Sequence, residues 1–191
     1  MKKAIFGFGG FAREVLSYLE EPVEIFVDDA YCEKEAEPIS SFDPQQYQLL
    51  ICVGDPALRK QIVSGLPKET KFFSFVHPTA VVGKDVEIGE GSIICPQAVV
   101  TTNVTLGKHN ILNLCSTVGH DSIIDDYYTS SPGGKCSGSV SLGEKVYLGT
   151  NASIREGIRV CEDVTIGMNA AVVKNIYDAG IYAGVPAKKI R

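Results

Sequence analysis

From Ala80 onward the hydrophobic pattern of the chain repeats every six residues. Residues 80–175 divide into sixteen hexads without an insertion, from AVVGKD, VEIGEG and SIICPQ to VTIGMN and AAVVKN. The third residue is aliphatic in fourteen of the sixteen, the exceptions being Ser130 and Cys136. First residues are mostly small or Val, so strand alternation turns positions one and three inward and position two outward. This period is the signature of a parallel β-helix in which three hexads make one triangular coil. Just over five coils result, a prism about 25 Å long at the usual inter-strand spacing. Position four is often Gly, which we read as a corner needing unusual φ/ψ.

Before Ala80 the pattern changes. Strands are predicted over 2–6, 23–27, 49–53 and 71–76, with helices over 11–20 and 57–66. Gly7-Phe8-Gly9-Gly10-Phe11-Ala12 follows the first strand and opens the first helix, whose Phe11, Val15 and Leu19 have helical spacing. Strand, glycine-rich turn and helix form the unit that brings a phosphate to a helix start. The second strand ends in Asp28-Asp29, near where a carboxylate could meet a ribose or base. The third ends in Gly54-Asp55-Pro56, and Pro suits a first helical turn. The expected organisation is a Rossmann-like nucleotide-binding domain over 1–78 and a β-helix domain with a C-terminal tail over 79–191. The α/β part is too short for a dinucleotide dehydrogenase, so a site for one nucleotide is the better reading.

Composition narrows the classes. The formal charge is −5, and no basic stretch is interleaved with aromatics, which argues against nucleic acid as a partner. No run has the length of a membrane span and no secretory leader precedes the first strand, so a cytoplasmic location is expected. The six cysteines form no C-x-x-C pair and are assigned no chemistry. Lys188, Lys189 and Arg191 gather positive charge at the end of the chain.

The stretches IFGFGGFAREV, FVDD, VGDPALRK, HPTAVVG, NLCSTVGHDSIID, PGGKCSG, SLGEKVYLGTNASI and GVPAKKI, in this order, span essentially the whole chain. Together they resemble the sugar acetyltransferases of the sialic-acid and bacillosamine type, a branch of the hexapeptide-repeat acyltransferases. The resemblance implies a left-handed coil, a homotrimer with sites between neighbouring prisms, and acetyl-CoA as cosubstrate with no metal. It implies that His120 is the general base, with Asn113 a polar residue of the site and the Gly138 amide the oxyanion donor. Imidazole suits the task because an amine attacks only after losing its proton, and a backbone N–H can stabilise the resulting oxyanion. Asp121 is a candidate to orient the imidazole. The sugar nucleotide would fall to Gly9, Gly10, Asp28, Asp29, Gly54 and Arg59. Acetyl-CoA would fall to Gly138, Thr150, Met168, Gly184, Pro186, Ala187 and Lys188.

The sequence departs from the family pattern at three places. Gly119 replaces an acidic residue that often precedes the base, Thr129 a second histidine, and Phe11 a histidine of the glycine-rich loop. His77 reads as structural and His109 as a solvated turn residue. The expected activity is N-acetylation of a UDP- or dTDP-linked 4-amino-4,6-dideoxy sugar. O-acetylation of sialic acid or a related sugar, and a non-catalytic hexapeptide scaffold, are the alternatives.

Overall fold

The computed structural model describes residues 1–32 and 35–191, in two compact units, Met1–Ser74 and Phe75–Arg191. In the first, β1 (Lys2–Phe6), β2 (Glu24–Val27), β3 (Glu37–Pro38), β4 (Tyr47–Ile51) and β5 (Lys71–Phe72) form one parallel sheet in the order β3-β2-β1-β4-β5. The central strands are covered on both faces, which is why they read as unbroken apolar runs; Ala4, Ile5, Leu49, Leu50 and Ile51 have no exposed surface. Phe26 packs edge-on against Phe42 and Tyr47, with centroids 5.3 and 5.4 Å away.

Two helices connect the strands. In α2 (Pro56–Gly65) Pro56 occupies the first turn, and the Asp55 carboxylate accepts from the Leu58 N–H at 2.8 Å. The first helix, α1 (Gly10–Leu16), is shorter than the expected 11–20. Its end tightens into bonds from Tyr18 N to Val15 O and from Leu19 N to Leu16 O, the three-residue spacing that closes a helix. Strand β3 is too short and polar to carry a hydrophobic pattern, and its proline sits where an edge strand tolerates one.

The second unit is the left-handed parallel β-helix. Each strand pairs with the one eighteen residues on: Val76 with Ile94, Ile94 with Leu112, Leu112 with Ser130, Ser130 with Leu148 and Leu148 with Ile166 on the first face. The second face carries Val82 to Val172 and the third Ile88 to Val160. Most strands are two residues long, too short to build up the twist that makes crossovers right-handed in ordinary parallel sheets.

The coil runs past the hexads at both ends. Phe75–Val76 pairs with Ile93–Ile94, so the expected strand 71–76 divides and the units part at Ser74 rather than at 78. At the other end Ile176 bridges to Val160, and Gly180–Ala183 adds to the first face before turning back antiparallel through Lys188–Lys189. Seven parallel rows on that face give a prism of roughly 30 Å. No helix among the described residues is long and apolar enough to cross a membrane.

The role expected for glycine at position four is corrected. The left-handed backbone lies at position six, where Asp85, Gln97, Asn103, His109, Cys115, Asp121 and their successors to Asn169 have φ of 52–60° or are Gly. Such a conformation is costly for a residue with a Cβ. In return it aims the N–H down the prism axis, as from His109 N to Glu90 O at 2.8 Å and from Tyr127 N to Lys108 O at 2.9 Å. Position four is glycine because the next coil lies against it. A Cβ on Gly143 would stand 2.6 Å from Glu162 N, and one on Gly149 2.7 Å from Met168 N.

One first-position side chain explains the two non-aliphatic third positions. Tyr128 points inward, fully buried, with its hydroxyl 3.3 Å from Cys136 Sγ. A ring there needs small neighbours, and Ser130, Gly134 and Cys136 leave the volume it fills.

Candidate active site

The sites anticipated for substrate and base lie in three places. In the first unit, Phe6, Gly7, Phe8, Gly9, Val27, Asp28, Tyr31, Val53, Leu58 and Ile62 enclose a cavity of about 390 Å³. A Cβ on Gly9 or Gly10 would meet nothing within 4 Å, so the loop is open where a ligand would approach. Gly7 is fixed by its backbone instead, with φ of +116° and the Cys52 carbonyl 3.2 Å from where a Cβ would sit. Phe11 is not among the residues that line the cavity.

The two aspartates separate. Asp28 lines the cavity while one carboxylate oxygen accepts from Ala30 N at 2.9 Å. Asp29 turns toward the segment after β3, accepting from Ser40 N at 3.1 Å, and that bond holds its carboxyl below the usual range. Arg59 also differs from expectation. It has no exposed surface, and its guanidinium donates to the carbonyls of Val53 at 2.6 Å and Gly54 at 3.2 Å. It shapes the loop after β4 from inside, through the carbonyls of Val53 and Gly54. Sequence reasoning missed Phe8, Tyr31 and Leu58, because an aromatic or leucine outside the core carries no signal until the strands place it at a cavity mouth. Substituting Asp28 with Ala is expected to raise KM for a nucleotide sugar several-fold and to leave KM for acetyl-CoA unchanged. The same change at Asp29 should move neither much. Steady-state kinetics with each substrate varied in turn checks both.

The second place is the edge between the second and third faces. His120 occupies position five, pointing outward with 61% of its side chain exposed. Its Nδ1 lies 2.7 Å from Asp121 Oδ2, and Asp121 Oδ1 accepts from Asn103 Nδ2, also at 2.7 Å. The bond from Asn103, and then that with His120, hold the Asp121 carboxyl below the usual range. With the ionised carboxylate accepting at Nδ1, the imidazole lone pair is left on Nε2. That nitrogen faces the next coil: a Cβ on Gly138 would stand 2.5 Å from it. The Gly138 N–H makes no hydrogen bond among the described residues, and its carbonyl accepts from Gly157 N at 3.0 Å. His120 and Gly138 thus sit one coil apart on the same edge. Gly119 has a physical reason as well, since a Cβ there would come within 2.6 Å of Gly138 N.

The third place is the edge between the first and second faces. Asn113 stands there, its side-chain oxygen taken by Leu114 N at 2.7 Å. Further along the prism come Thr150, whose carbonyl accepts from Asn169 N at 2.9 Å, and Met168, 70% exposed. The tail closes the same edge: Gly184 (φ +92°) accepts from Ala171 N at 3.1 Å, Val185–Pro186 is cis, and Ala187 N donates to Ala171 O at 2.8 Å. Lys188 follows, exposed. A whole face separates Asn113 from His120 within one chain, so the expected neighbourhood of these two is not formed there.

Thr129 is 3% exposed. His77 Nδ1 lies 2.9 Å from Thr79 Oγ1, a local turn. His109 is not solvated: it is 2% exposed and stacks on Tyr127 at 5.2 Å. Burial pushes the Cys136 thiol up to about 11, so it stays protonated. No cluster of three or more His, Cys, Asp or Glu among the described residues is arranged to hold a metal.

No family model matches the chain. Among solved structures, the acetyltransferase domain of PglB from Neisseria gonorrhoeae shares 31% identity over 99% of both chains, with a TM-score of 0.88. PerB from Caulobacter crescentus, solved with CoA and GDP-perosamine, shares 25% over 100% of this chain and 98% of that one, with a TM-score of 0.88. The GDP-perosamine N-acetyltransferase of Escherichia coli O157:H7 is 28% identical over 172 residues, 81% of this chain and 78% of that protein. Carried by likeness over nearly its full length and by its eighteen-residue coil, this chain belongs to the sugar N-acetyltransferases of the hexapeptide-repeat acyltransferase family.

Proposed function

We propose that the protein transfers the acetyl group of acetyl-CoA to the amine of a nucleotide-linked 4-amino-4,6-dideoxy sugar, with His120 as general base. The carrying observation is the edge where Asp121 holds Nδ1 and Nε2 faces Gly138, whose N–H makes no hydrogen bond among the described residues. Nε2 takes the proton as the amine attacks the thioester carbonyl, and Gly138 N–H donates to the oxyanion that forms. Collapse of that intermediate expels the CoA thiolate. No acyl-enzyme is needed, in keeping with a buried, protonated Cys136. The cavity beside Gly9 and Asp28 supports a nucleotide as the handle of the acceptor. The complexes of relatives with acetyl-CoA, and with CoA and GDP-perosamine, support both substrate classes.

The base of the nucleotide is the open choice between uracil or thymine, expected from the sequence, and guanine, as in the perosamine enzymes. Initial rates with UDP-, dTDP- and GDP-linked 4-amino sugars, with free sialic acid as the O-acetyl control, decide it. Turnover of sialic acid alone would overturn N-transfer to a nucleotide sugar.

The site also calls for more than one copy of the chain. His120 and Gly138 lie on one edge, while Asn113, Thr150, Met168 and the tail lie on another, a face away. A closed ring of three prisms, one edge of each meeting the other edge of the next, would build three composite grooves. A trimer is expected by light scattering at working concentration. A monomer with full specific activity would contradict the shared groove.

A further inference from the structure

We infer that Asn103 is a positioning residue for the acetyl transfer: from the coil below, it clamps Asp121 so that the carboxylate orients His120. This rests on His120 being the base. Three contacts on one edge make the chain of influence. Asn103 Nδ2 donates to Asp121 Oδ1 at 2.7 Å, Asp121 Oδ2 meets His120 Nδ1 at 2.7 Å, and His120 Nε2 faces Gly138.

The clamp answers a mechanical need. Position 119, on the other side of His120, is glycine and can carry no carboxylate without pressing on Gly138 N. Asp121 therefore supplies the only carboxylate that the described contacts give the imidazole. It is half exposed, so rotation about χ1 and χ2 would carry it into water unless something held it. Its backbone is fixed, with φ of 58° and its N–H on Thr102 O at 3.2 Å, and among the described residues the side chain has one further tether, Asn103.

The register makes that tether possible. Asn103 and Asp121 are both sixth-position residues eighteen apart, so the left-handed corners stack them directly. An amide is the suitable group because its nitrogen can only donate, leaving Oδ2 of the aspartate for the imidazole N–H. A carboxylate at 103 would repel Asp121 and an aliphatic side chain would release it. The bond from Asn103 is also the first cause of the low Asp121 pKa, which keeps the acceptor ionised.

Three variants of the full-length protein test this, with melting temperature as the control on folding: N103L, the exchange N103D/D121N, and H120A. N103L is expected to lower kcat about tenfold, on the scale of an outer partner of an oriented histidine, with both KM values unchanged. In ¹⁵N NMR of labelled imidazoles, wild-type His120 should show the Nδ1–H tautomer and N103L a mixture. The exchange N103D/D121N restores an amide–carboxylate bond between the coils but removes the carboxylate from His120. It should therefore recover melting temperature and not kcat. Wild-type kcat and an unchanged tautomer in N103L, alongside an inactive H120A, would overturn the clamp and leave the base standing. Recovery of kcat by the exchange would reduce Asn103 to a structural bond. Near-normal kcat in H120A would instead remove the reading on which the clamp rests.

Discussion

Replacing His120 with Ala is expected to lower kcat about a hundred- to ten-thousand-fold, the range a general base contributes. The residue is well placed for a clean experiment. It is exposed on a corner, its ring fills no core space, and the backbone bond from Ser139 N to its carbonyl survives the change. Melting temperature should therefore hold, and a lost rate would report chemistry. Acetyl-CoA affinity should also hold, because the residues assigned to it, apart from Gly138, lie along the other edge and in the tail. Raising the pH should return part of the rate, since more of the acceptor amine then arrives deprotonated. Rapid-quench turnover with saturating acetyl-CoA measures the chemical step directly. If kcat stayed within a few-fold of wild type, His120 would be an exposed turn residue and no more.

Gly138 gives the second large effect, and a less obvious one. Gly138→Ala is expected to reduce kcat about a hundred- to a thousand-fold, the scale on which an oxyanion donor matters. Its backbone has no positive φ, so alanine is compatible with the fold. The added methyl group, however, would stand 2.5 Å from His120 Nε2 and 2.6 Å from Cε1, closer than atoms pack. Either the imidazole swings away from Asp121, or the corner shifts and the N–H loses its aim. Both damage the same step, so Gly138→Ala and His120→Ala should be far from additive, and the double variant should be little worse than His120→Ala. Additive losses would mean that base and donor serve different steps. Gly157→Ala, one coil further along the same edge, is the control. It too is next to the edge, but nothing lies within 4 Å of its Cβ position, although its φ of +69° will lower stability somewhat.

The sequence alone determined the β-helix and most of its interior. A six-residue period with aliphatic third positions has one efficient way to bury them, and every pairing from Val76 to Ile166 follows the eighteen-residue step that the period implies. The same period carried more than it was asked for. Asn103 lies one coil below Asp121, so their contact was legible in the count. The strand-glycine-helix opening likewise determined β1, α1 and the open Gly9–Gly10 turn, because local backbone requirements are written in local residues.

Only the tertiary structure decided which residues face which. Asp28 and Asp29 are adjacent and chemically identical, yet one lines the cavity and the other turns to Ser40 N. Arg59, assigned to the sugar nucleotide by resemblance, is buried and staples the loop after β4 from inside. His109 looked like a solvated turn and is stacked beneath Tyr127. In each case what decides is the packed position of the side chain: which strand end faces the cavity, which helix face turns inward, and which corner stacks on the next coil. Glycine at position four shows the same division. Its presence was plain in the sequence, but its reason is the coil lying against it, while the left-handed corner is carried by whatever residue stands at position six. Burial and approach are properties of the packed coil, and they exist only once the chain has stacked upon itself.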